Sequence, residues 1–436
     1  MKISRANSIS GTIHLPGDKS ISHRSAMIAA MAEGETRIEN FATSADCAST
    51  LECIAALGVN VSRNGNSVVI NGVGKTGFRA PTQPLDCGNS GTTMRLMSGV
   101  LAGQNFESVL IGDESLQSRP MKRVIEPLGQ MGAVICSDEG KAPLTIAGKY
   151  RLRVIEYQPP IASAQIKSCV LLAGLNSDGV TTVIEPVQTR DHTERMLRWF
   201  GVDVEIVNGE TGTRISVSGD AKLTARDLIV PADISSAAFF MVAAACLAGS
   251  DITMPNVGLN PSRRAVLDVM LGLGARIELI GSMENCNEPA SSLRVRSGFS
   301  VSSASHLLHG EIIANLIDEV PILAILGTQL EGGIEIRDAA ELRVKESDRI
   351  SAVVENLKRM GAAVTEFADG LKVERSELRG AKIDSFGDHR IAMAFGVAGL
   401  FADRETEIEG AECANVSFPG FFETLNGTRT SLSASS

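Results

Sequence analysis

Six short polar stretches, each just before an apolar helical segment, carry most of the residues that could do chemistry in this 436-residue chain. They read GDKSISHR (17–24), CGNSGTTMR (87–95), IASAQIKS (161–168), PADISSA (231–237), NLIDEVP (315–321) and FGDHRIAM (386–393). Several place cations at the start of the helix, where the helix dipole favours anions instead. These cations are Lys19, His23, Arg24, Lys167, His389 and Arg390. A bound anion between such cations and the free N–H groups of the helix would explain the pattern, which therefore predicts binding of phosphate or carboxylate groups.

The oxygen-bearing residues of the same stretches have a simpler explanation, because Ser, Asp and Asn are the usual N-caps of helices. The candidate caps are Asp18, Ser20, Asn89, Asp233 and Asp388. Capping accounts for these residues without any ligand. It does not account for the cations, since a cap must accept hydrogen bonds from the backbone.

Three further charged clusters precede amphipathic helices. In SLQSRPM, Arg119 stands before Pro120, a residue typical of a helix start. QTRDHTER carries Arg190, and ELRVKESDRI carries two cations four residues apart, Lys345 and Arg349. That spacing predicts a shared helix face, on which like charges repel unless an anion lies between them. A solvated charged face is the alternative interpretation of such a run.

A repeat organises these stretches. The pattern apolar-Gly-Ala/Val-x-apolar recurs at Gly58, Gly132, Gly201, Gly274 and Gly361, with a degraded copy near Gly427. Each glycine follows an amphipathic helix, which predicts a left-handed cap, and two alternating strands follow the first five. Upstream of each lies a uniformly apolar helix and then a strand. The pattern indicates an α/β protein of six related units in two domains; coincidental helix stops in an ordinary α/β protein are the alternative.

Composition excludes several classes of function. A formal net charge of −10 argues against nucleic acid or an anionic membrane as the main partner. The longest apolar run, 237–249, is too short to span a bilayer, and no signal or transit segment is recognisable. The eight cysteines include no CxxC pair, which is typical of reduced, mostly buried thiols in a cytosolic protein. No metal-binding or dinucleotide-binding motif is present, so neither group is expected.

The motifs LPGDKSISHRS, GNSGTTMR, SRPM, SAQIKS, RDHTE, DEVPIL, ELRVKESDR and DHRIAMA resemble those of the 5-enolpyruvylshikimate-3-phosphate synthase family nearly end to end. The resemblance implies the two-domain enolpyruvyl-transferase fold of six βαβαββ units, three per domain, with the active site in the interdomain cleft. One domain would comprise residues 1–14 plus 229–436 (units 4–6), and the other residues 15–228 (units 1–3). The implied reaction transfers the enolpyruvyl group of phosphoenolpyruvate to the 5-hydroxyl of shikimate 3-phosphate. It proceeds by addition and elimination through a tetrahedral intermediate, releases phosphate, and serves the shikimate pathway to chorismate and the aromatic amino acids.

The resemblance also implies roles for single residues. The shikimate-3-phosphate site would comprise Lys19, Ser20, Arg24, Ser163, Ala164, Gln165, Arg190, Asp318 and Lys345. The phosphoenolpyruvate site would comprise Lys19, Asn89, Gly91, Arg119, Gln165, Arg349 and Arg390, with Thr92 and His389 in support. Asp318 would take the proton from the 5-hydroxyl, and Glu346 with Lys19 would govern protonation at the methylene carbon. Because each substrate carries a phosphate and a carboxylate, several cations must gather around them.

The same resemblance implies a cytoplasmic monomer without a metal or organic cofactor, and Gly91 leaves room for the inhibitor glyphosate. The sequence departs from the family pattern at Leu96, Ala164 and Val416, and it ends in LNGTRTSLSASS without a last strand pair. Two alternatives remain. A UDP-N-acetylglucosamine enolpyruvyl transferase relies on a loop cysteine, whereas Cys136 lies in a predicted strand. A non-catalytic sensor of phosphorylated metabolites would need the cations but not the carboxylates Asp318 and Glu346.

Overall fold

The computed structural model describes residues 1–300 and 306–430, and these form helices and short mixed sheets. The α-helices are α1 (Lys19–Met31), α2 (Ala45–Ala56), α3 (Gly91–Ala102), α4 (Glu114–Ser118), α5 (Lys122–Gln130), α6 (Ala164–Gly174), α7 (His192–Trp199), α8 (Ile234–Cys246), α9 (Ala265–Gly272), α10 (Ile312–Leu316), α11 (Val320–Gly327), α12 (Arg349–Arg359), α13 (His389–Phe401) and α14 (Phe421–Gly427). Two 3₁₀ helices span Ala340–Val344 and Ala411–Val416.

Most of the strands are short, and ten of those described form five hairpins. They are β1 (Lys2–Ile3), β2 (Ser8–Thr12), β3 (Glu33–Glu39), β4 (Asn60–Asn64), β5 (Ser67–Val73), β6 (Leu85–Asp86), β7 (Glu107–Ile111), β8 (Val134–Asp138), β9 (Lys141–Ala147), β10 (Glu156–Tyr157), β11 (Val180–Glu185), β12 (Val204–Gly209), β13 (Gly212–Ser218), β14 (Leu228–Ile229), β15 (Asp251–Gly258), β16 (Ala275–Asn285), β17 (Glu288–Phe299), β18 (His306–Leu308), β19 (Ile334–Ile336), β20 (Val364–Phe367), β21 (Gly370–Val373), β22 (Lys382–Asp384), β23 (Thr406–Glu409) and β24 (Arg429–Thr430).

Internal contacts divide the described chain into two compact units, each with its own hydrophobic core. Unit 1 comprises Met1–Pro16, Pro231–Met283 and Pro289–Ser436, of which residues 301–305 and 431–436 are not described. Unit 2 comprises Gly17–Val230 and Glu284–Glu288. The segment Glu284–Glu288 is the tip of the β16–β17 hairpin, which the sequence analysis assigned with the rest of residues 229–436.

Unit 2 contains three four-stranded sheets of identical topology. Their strand orders are β14-β3-β5-β4, β6-β7-β9-β8 and β10-β11-β13-β12. In each sheet the first pair is parallel and the other two pairs are antiparallel. The apolar helices α1, α3 and α6 are almost entirely buried, α3 packs against both α1 and α6, and together they form much of the core. This threefold repetition is the structural counterpart of the sequence repeat.

Unit 1 repeats the plan with two modifications. The sheet β18-β19-β21-β20 has the topology found in unit 2, whereas β16-β17-β15-β2-β24 gains a fifth strand. In the third sheet, β1-β23-β22, the N-terminal strand pairs antiparallel with β23. Helices α8, α11 and α13 are the buried apolar helices of this unit. Of the closing sequence LNGTRTSLSASS, residues 431–436 lie outside the described residues.

The glycine caps follow the prediction in five of six copies. Backbone φ is between +78° and +103° at Gly58, Gly132, Gly201, Gly274 and Gly361, a conformation in which glycine avoids the steric cost of a Cβ. The sixth copy differs, because Gly427 is the last residue of α14 itself.

Two composition-based predictions are also tested by the fold. All eight cysteines are free, and five of them are buried. Among the described residues, no helix has the length and apolar character needed to cross a membrane.

Candidate active site

Side-chain hydrogen bonds tie together the first turns of the three buried helices of unit 2. Arg24 of α1 donates from Nη2 to Ser168 Oγ of α6 at 2.9 Å, and Gln165 Nε2 of α6 donates to Thr92 Oγ1 of α3 at 2.9 Å. Thr93 of α3 reaches His23 of α1 through Thr50, over two contacts of 2.7 Å. The repeat therefore brings the polar stretches at 17–24, 87–95 and 161–168 to one place.

Arg24 is buried and is held by oxygens that carry no charge. Its Nε donates to Thr193 Oγ1 at 2.7 Å and its Nη1 donates to the Ser20 carbonyl at 2.9 Å, in addition to the bond to Ser168. Burial lowers the pKa of Arg24 to about 10, although the charge of Glu194 opposes the shift and that of Arg190 adds to it. Arg24 is thus a charged group in an environment that favours the neutral form, and a bound anion would stabilise it.

A second guanidinium, that of the half-buried Arg95, lies beside the predicted phosphoenolpyruvate residues. Its Nη1 donates to Gln165 Oε1 at 2.7 Å. Burial lowers the pKa of Arg95 to about 10, and the charges of Arg119 and Arg123 lower it further. A Cβ built on Gly91 would lie 2.8 Å from Arg95 Nη1, so a glycine lets this guanidinium approach the backbone closely, whereas Arg119 Nη1 at 3.5 Å would be in ordinary van der Waals contact.

Asn89 orients Arg119 from the loop before α3. Arg119 Nη2 donates to Asn89 Oδ1 at 2.8 Å, and Asn89 Nδ2 donates to Asp113 at 2.8 Å. Two helix ends differ here from the sequence-based predictions. The N-cap of α3 is Ser90 rather than Asn89, and Arg119 follows the short helix α4 rather than starting α5.

The remaining predicted residues of unit 2 lie at other points of the same helix starts. Lys19, the first residue of α1, forms an ion pair with Asp46 at 2.9 Å. Ser163 is the N-cap of α6 and Ala164 its first residue. Ser20 lies inside α1 and is not its cap, which is Asp18. Arg190 is half-buried and precedes Asp191, the N-cap of α7.

Three guanidiniums of unit 2 have only neutral hydrogen-bond partners. Within residues 1–300 and 306–430, no carboxylate lies within ion-pair distance of Arg24, Arg95 or Arg119. Arg24 is buried, whereas Arg95 and Arg119 are half-buried. Removing a cation from water without a counter-charge is costly, so this arrangement favours a bound anion. Lys167 is the opposite case and corrects the prediction. It is fully buried between Glu185 and Glu194, at 2.8 and 2.7 Å, and its charge is already neutralised.

His23 also differs from the sequence analysis, which counted it among the cations. Burial lowers the pKa of His23 to about 3; the charge of Asp46 opposes this shift, and the charges of Lys19 and Arg24 add to it. The imidazole is therefore neutral at pH 7 and shares a hydrogen bond with Thr50. It helps to join α1 to α3 but contributes no positive charge to the site.

This burial makes folding stability depend on pH. The unfolded chain binds a proton at His23 below about pH 6.5 and the folded chain only near pH 3, so stability is lost as the pH falls between these values. We expect a loss of about 1.4 kcal/mol per pH unit from this group. Urea unfolding at pH 6.5 and pH 5 should show a smaller loss for His23→Gln than for the wild type. The exposed His14→Gln variant is the control, and an equal loss in all three proteins would contradict the prediction.

In unit 1, Asp318 lies among three arginines. Arg349 Nη1 is 3.5 Å from its carboxylate, Arg390 Nη2 is 3.8 Å away, and Arg263 Nη1 is 3.9 Å away. Arg390 also donates to the Asp318 carbonyl at 2.6 Å. Opposite charges this close stabilise the ionised carboxylate, which is the form that accepts a proton.

Arg349 is the most heavily paired of these cations. It is 2% exposed and contacts the buried Asp388 at 2.7 Å and Glu346 at 2.6 Å, as well as Asp318. Burial alone would lower the pKa of Arg349, but the three carboxylates outweigh burial and raise it. The predicted phosphoenolpyruvate residue is thus joined directly to both predicted proton-transfer residues.

Lys345 does not share a helix face with Arg349, which corrects the prediction from their spacing. Lys345 follows the 3₁₀ helix Ala340–Val344, whereas α12 begins only at Arg349. Lys345 forms an ion pair with Glu341 at 2.9 Å. His389, the last predicted residue of unit 1, is the buried first residue of α13.

Sequence reasoning missed Arg95 and Arg263. Arg95 stands four residues after Gly91 on α3, inside a stretch that the sequence analysis quoted. Arg263 is buried, donates to Ser235 Oγ of α8 and lies 4.0 Å from Glu319 of the α11 start. Arg263 stands just before α9 and so fits the pattern of a cation at a helix start. That pattern could have predicted Arg263 from the sequence.

Among the residues that the structure describes, no group of three or more His, Cys, Asp or Glu side chains could hold a metal. Cys136, the residue relevant to the UDP-amino-sugar alternative, is an exposed residue of strand β8.

Comparison with known proteins agrees with the resemblance found in the sequence. The family model for EPSP synthase (3-phosphoshikimate 1-carboxyvinyltransferase) matches residues 3–425. A 3-phosphoshikimate 1-carboxyvinyltransferase of Solibacter usitatus is 51% identical over 426 residues, covering 97% of this chain and 98% of the relative.

Two solved structures extend the comparison to the fold. EPSP synthase from Acinetobacter baumannii is similar with a TM-score of 0.89 and 42% identity, over 98% of each chain. The enolpyruvyl transferase NikO from Streptomyces tendae matches in fold alone, with a TM-score of 0.77 and 18% identity over 98% of this chain and 96% of its own. The predicted two-domain enolpyruvyl-transferase fold is confirmed, and the chain belongs to the EPSP synthase family, the 3-phosphoshikimate 1-carboxyvinyltransferases.

Proposed function

We propose that the chain transfers the enolpyruvyl group of phosphoenolpyruvate to the 5-hydroxyl of shikimate 3-phosphate and releases phosphate. The membership of the family supports this reaction, and the comparisons do not favour the UDP-amino-sugar alternative. The observation that supports this chemistry is that three guanidiniums of unit 2 have only neutral partners among the described residues: Arg24, Arg95 and Arg119. Each substrate brings two anionic groups, which match such cations in charge and geometry.

We assign shikimate 3-phosphate to the residues around the start of α1 and α6. Arg24, Arg190 and the residues 163–165 would bind its phosphate and carboxylate, with Lys19 and Ser20 beside them. Two of the five N–H groups of Arg24 donate to no described residue, so they are available to the substrate, which supports this assignment. Lys345 is also assigned to this substrate.

We assign phosphoenolpyruvate to the residues around the start of α3. Arg119, positioned by Asn89, would bind its phosphate or carboxylate, and Gly91 leaves space beside Arg119 and Arg95. Gln165, held by Arg95 and Thr92, would contact both substrates. Arg349 and Arg390 are also assigned to phosphoenolpyruvate, with His389 in support.

We assign proton transfer to the carboxylates of unit 1. Asp318 would accept the proton of the 5-hydroxyl, because its three arginine neighbours favour the ionised form before the reaction. Glu346, which shares Arg349 with Asp318, would govern protonation of the methylene carbon together with Lys19. This division gives one carboxylate to each proton-transfer step of addition and elimination.

Three finer properties are part of the proposal: a monomeric state, a cytoplasmic location, and competition of glyphosate with phosphoenolpyruvate. The first follows from the completeness of the assigned residue set within one chain. The second rests on eight free thiols, which are typical of a reducing compartment. Glyphosate carries a phosphonate and a carboxylate, and so could use the arginines assigned to phosphoenolpyruvate.

Phosphate release tests the function. Mixing the purified chain with shikimate 3-phosphate and phosphoenolpyruvate should release phosphate continuously, whereas UDP-N-acetylglucosamine as the acceptor should give none. Added glyphosate should raise the KM for phosphoenolpyruvate without lowering kcat. Release only with the amino sugar would support the alternative transferase. Binding of shikimate 3-phosphate without any turnover would support the sensor.

A further inference from the structure

Two hydroxyl groups fix the orientation of Arg24. The Nε of Arg24 donates to Thr193 Oγ1 at 2.7 Å and Nη2 donates to Ser168 Oγ at 2.9 Å. The two hydroxyl oxygens are themselves 2.6 Å apart. Both oxygens lie along the same edge of the planar guanidinium, because Nε and Nη2 together form one of its edges.

Because each hydroxyl group has a single hydrogen, the direction of every hydrogen bond in this network is determined. Ser168 Oγ also contacts the Ala164 carbonyl at 2.6 Å, and a carbonyl can only accept, so the single hydroxyl hydrogen of Ser168 is donated there. Thr193 must then donate the hydrogen that joins it to Ser168. Each hydroxyl thereby accepts from Arg24, and the chain of bonds runs from Arg24 through Thr193 and Ser168 to Ala164.

The far end of this chain lies in the segment assigned to the substrate phosphate. Ala164 is the first residue of α6 and stands between Ser163 and Gln165. The Thr193 hydroxyl therefore couples the orientation of the Arg24 guanidinium to the backbone of residues 163–165. Two N–H groups of Arg24, one on Nη1 and one on Nη2, donate to no described residue and are left for an anion.

Thr193 is itself held by both of its neighbours in α7. His192 Nδ1 lies 2.8 Å from Glu288 Oε1, and both side chains are 1% exposed. Glu194 Oε1 forms an ion pair with the buried Lys167 at 2.7 Å. Consecutive helix residues point in different directions, so these contacts fix the first turn of α7 from two sides.

We propose that Thr193 is a positioning residue for shikimate-3-phosphate binding. Its hydroxyl, relayed by Ser168, aligns Arg24 with residues 163–165, so that both bind the same phosphate or carboxylate group of the substrate. This inference rests on the proposed function of Arg24. It predicts the larger effect on the binding of shikimate 3-phosphate, because phosphoenolpyruvate shares only Gln165 with this segment and is otherwise assigned to other residues, such as Arg119.

The test compares two substitutions of Thr193. Thr193→Val keeps the shape but removes the hydroxyl, and should raise the KM for shikimate 3-phosphate about tenfold or more, with little change in kcat or in the KM for phosphoenolpyruvate. Thr193→Ser keeps the hydroxyl and should stay within about twofold of the wild type. A role in packing alone would instead penalise the serine variant, which lacks the methyl group. Ser168→Ala should act in the same direction as Thr193→Val and provides a second route if the valine variant does not fold.

A matched control comes from another buried hydroxyl pair of unit 2. Thr182 Oγ1 and Ser216 Oγ are 3.0 Å apart, and Thr182→Val should leave both KM values unchanged. Arg24→Lys tests the assignment of Arg24 to shikimate 3-phosphate separately from the positioning role of Thr193. If Arg24→Lys leaves the KM for shikimate 3-phosphate unchanged, the assignment of Arg24 to this substrate fails. If Arg24→Lys raises that KM but neither Thr193→Val nor Ser168→Ala does, the positioning role of Thr193 is overturned while the assignment stands.

Discussion

Replacing Asp318 by asparagine is expected to lower kcat about a thousandfold, the effect expected for loss of a general base. Asparagine has nearly the same shape but cannot accept the proton of the 5-hydroxyl. The three arginines around it would then face one carboxylate fewer, so the binding of phosphoenolpyruvate should be retained or strengthened. Steady-state phosphate release, with both KM values determined, measures the two effects separately.

The control for this prediction is a neutralised carboxylate elsewhere in unit 1. Glu355→Gln removes an exposed carboxylate on α12, whose one ion-pair partner among residues 1–300 and 306–430 is Arg359, and should leave kcat within about twofold of the wild type. Glu346→Gln provides an independent check, since it removes the other carboxylate assigned to proton transfer. Full activity in both Asp318→Asn and Glu346→Gln would exclude the proposed mechanism.

The sequence predicted the repeated architecture because each element leaves a local signature. The left-handed glycines at Gly58 and Gly132 follow amphipathic helices, and a glycine directly after such a helix is interpretable from neighbouring residues alone. The uniformly apolar segments that became α1 and α8 likewise indicate burial on all sides. Local sequence patterns were therefore sufficient to predict the fold class and the approximate positions at which the six buried helices begin.

The sequence could not predict which cations are already neutralised. Lys167 and Arg24 both lie near the start of a buried helix. In the part of the chain that the structure describes, carboxylates pair with Lys167 and none pairs with Arg24. Those partners, Glu185 and Glu194, come from the end of β11 and the start of α7. Such pairing is a property of the tertiary arrangement, because residues about twenty positions apart meet only after the sheets have formed.

The error at Lys345 has a related cause. Spacing of four residues implies a shared face only where the helix is continuous, and here the chain changes conformation between Lys345 and Arg349. Asp348 caps the new helix, accepting a hydrogen bond from the Ser351 backbone. The sequence SD before a helical run is a recognisable N-cap signal, and it could have placed the boundary correctly.

Replacing Arg349 by methionine is expected to lower the free energy of unfolding by about 3–5 kcal/mol, because it leaves buried carboxylates without their cation. Asp388, which is fully buried, loses its contact at 2.7 Å, and Glu346 and Asp318 lose theirs. The KM for phosphoenolpyruvate should rise as well, since Arg349 is assigned to that substrate. Urea unfolding and phosphate-release kinetics measure the two effects.

The same helix supplies the control for Arg349→Met. Arg359 at the other end of α12 pairs with the exposed Glu355, and Arg359→Met should cost at most about 1 kcal/mol. Adding Asp388→Asn to Arg349→Met should recover part of the lost stability, because a neutral amide needs no counter-charge, whereas the KM for phosphoenolpyruvate should stay high. Recovery of stability without recovery of binding would separate the two roles of Arg349: it neutralises Asp388 in the fold and binds the substrate in the reaction. Equal destabilisation by Arg349→Met and Arg359→Met would show instead that the buried carboxylates do not depend on Arg349.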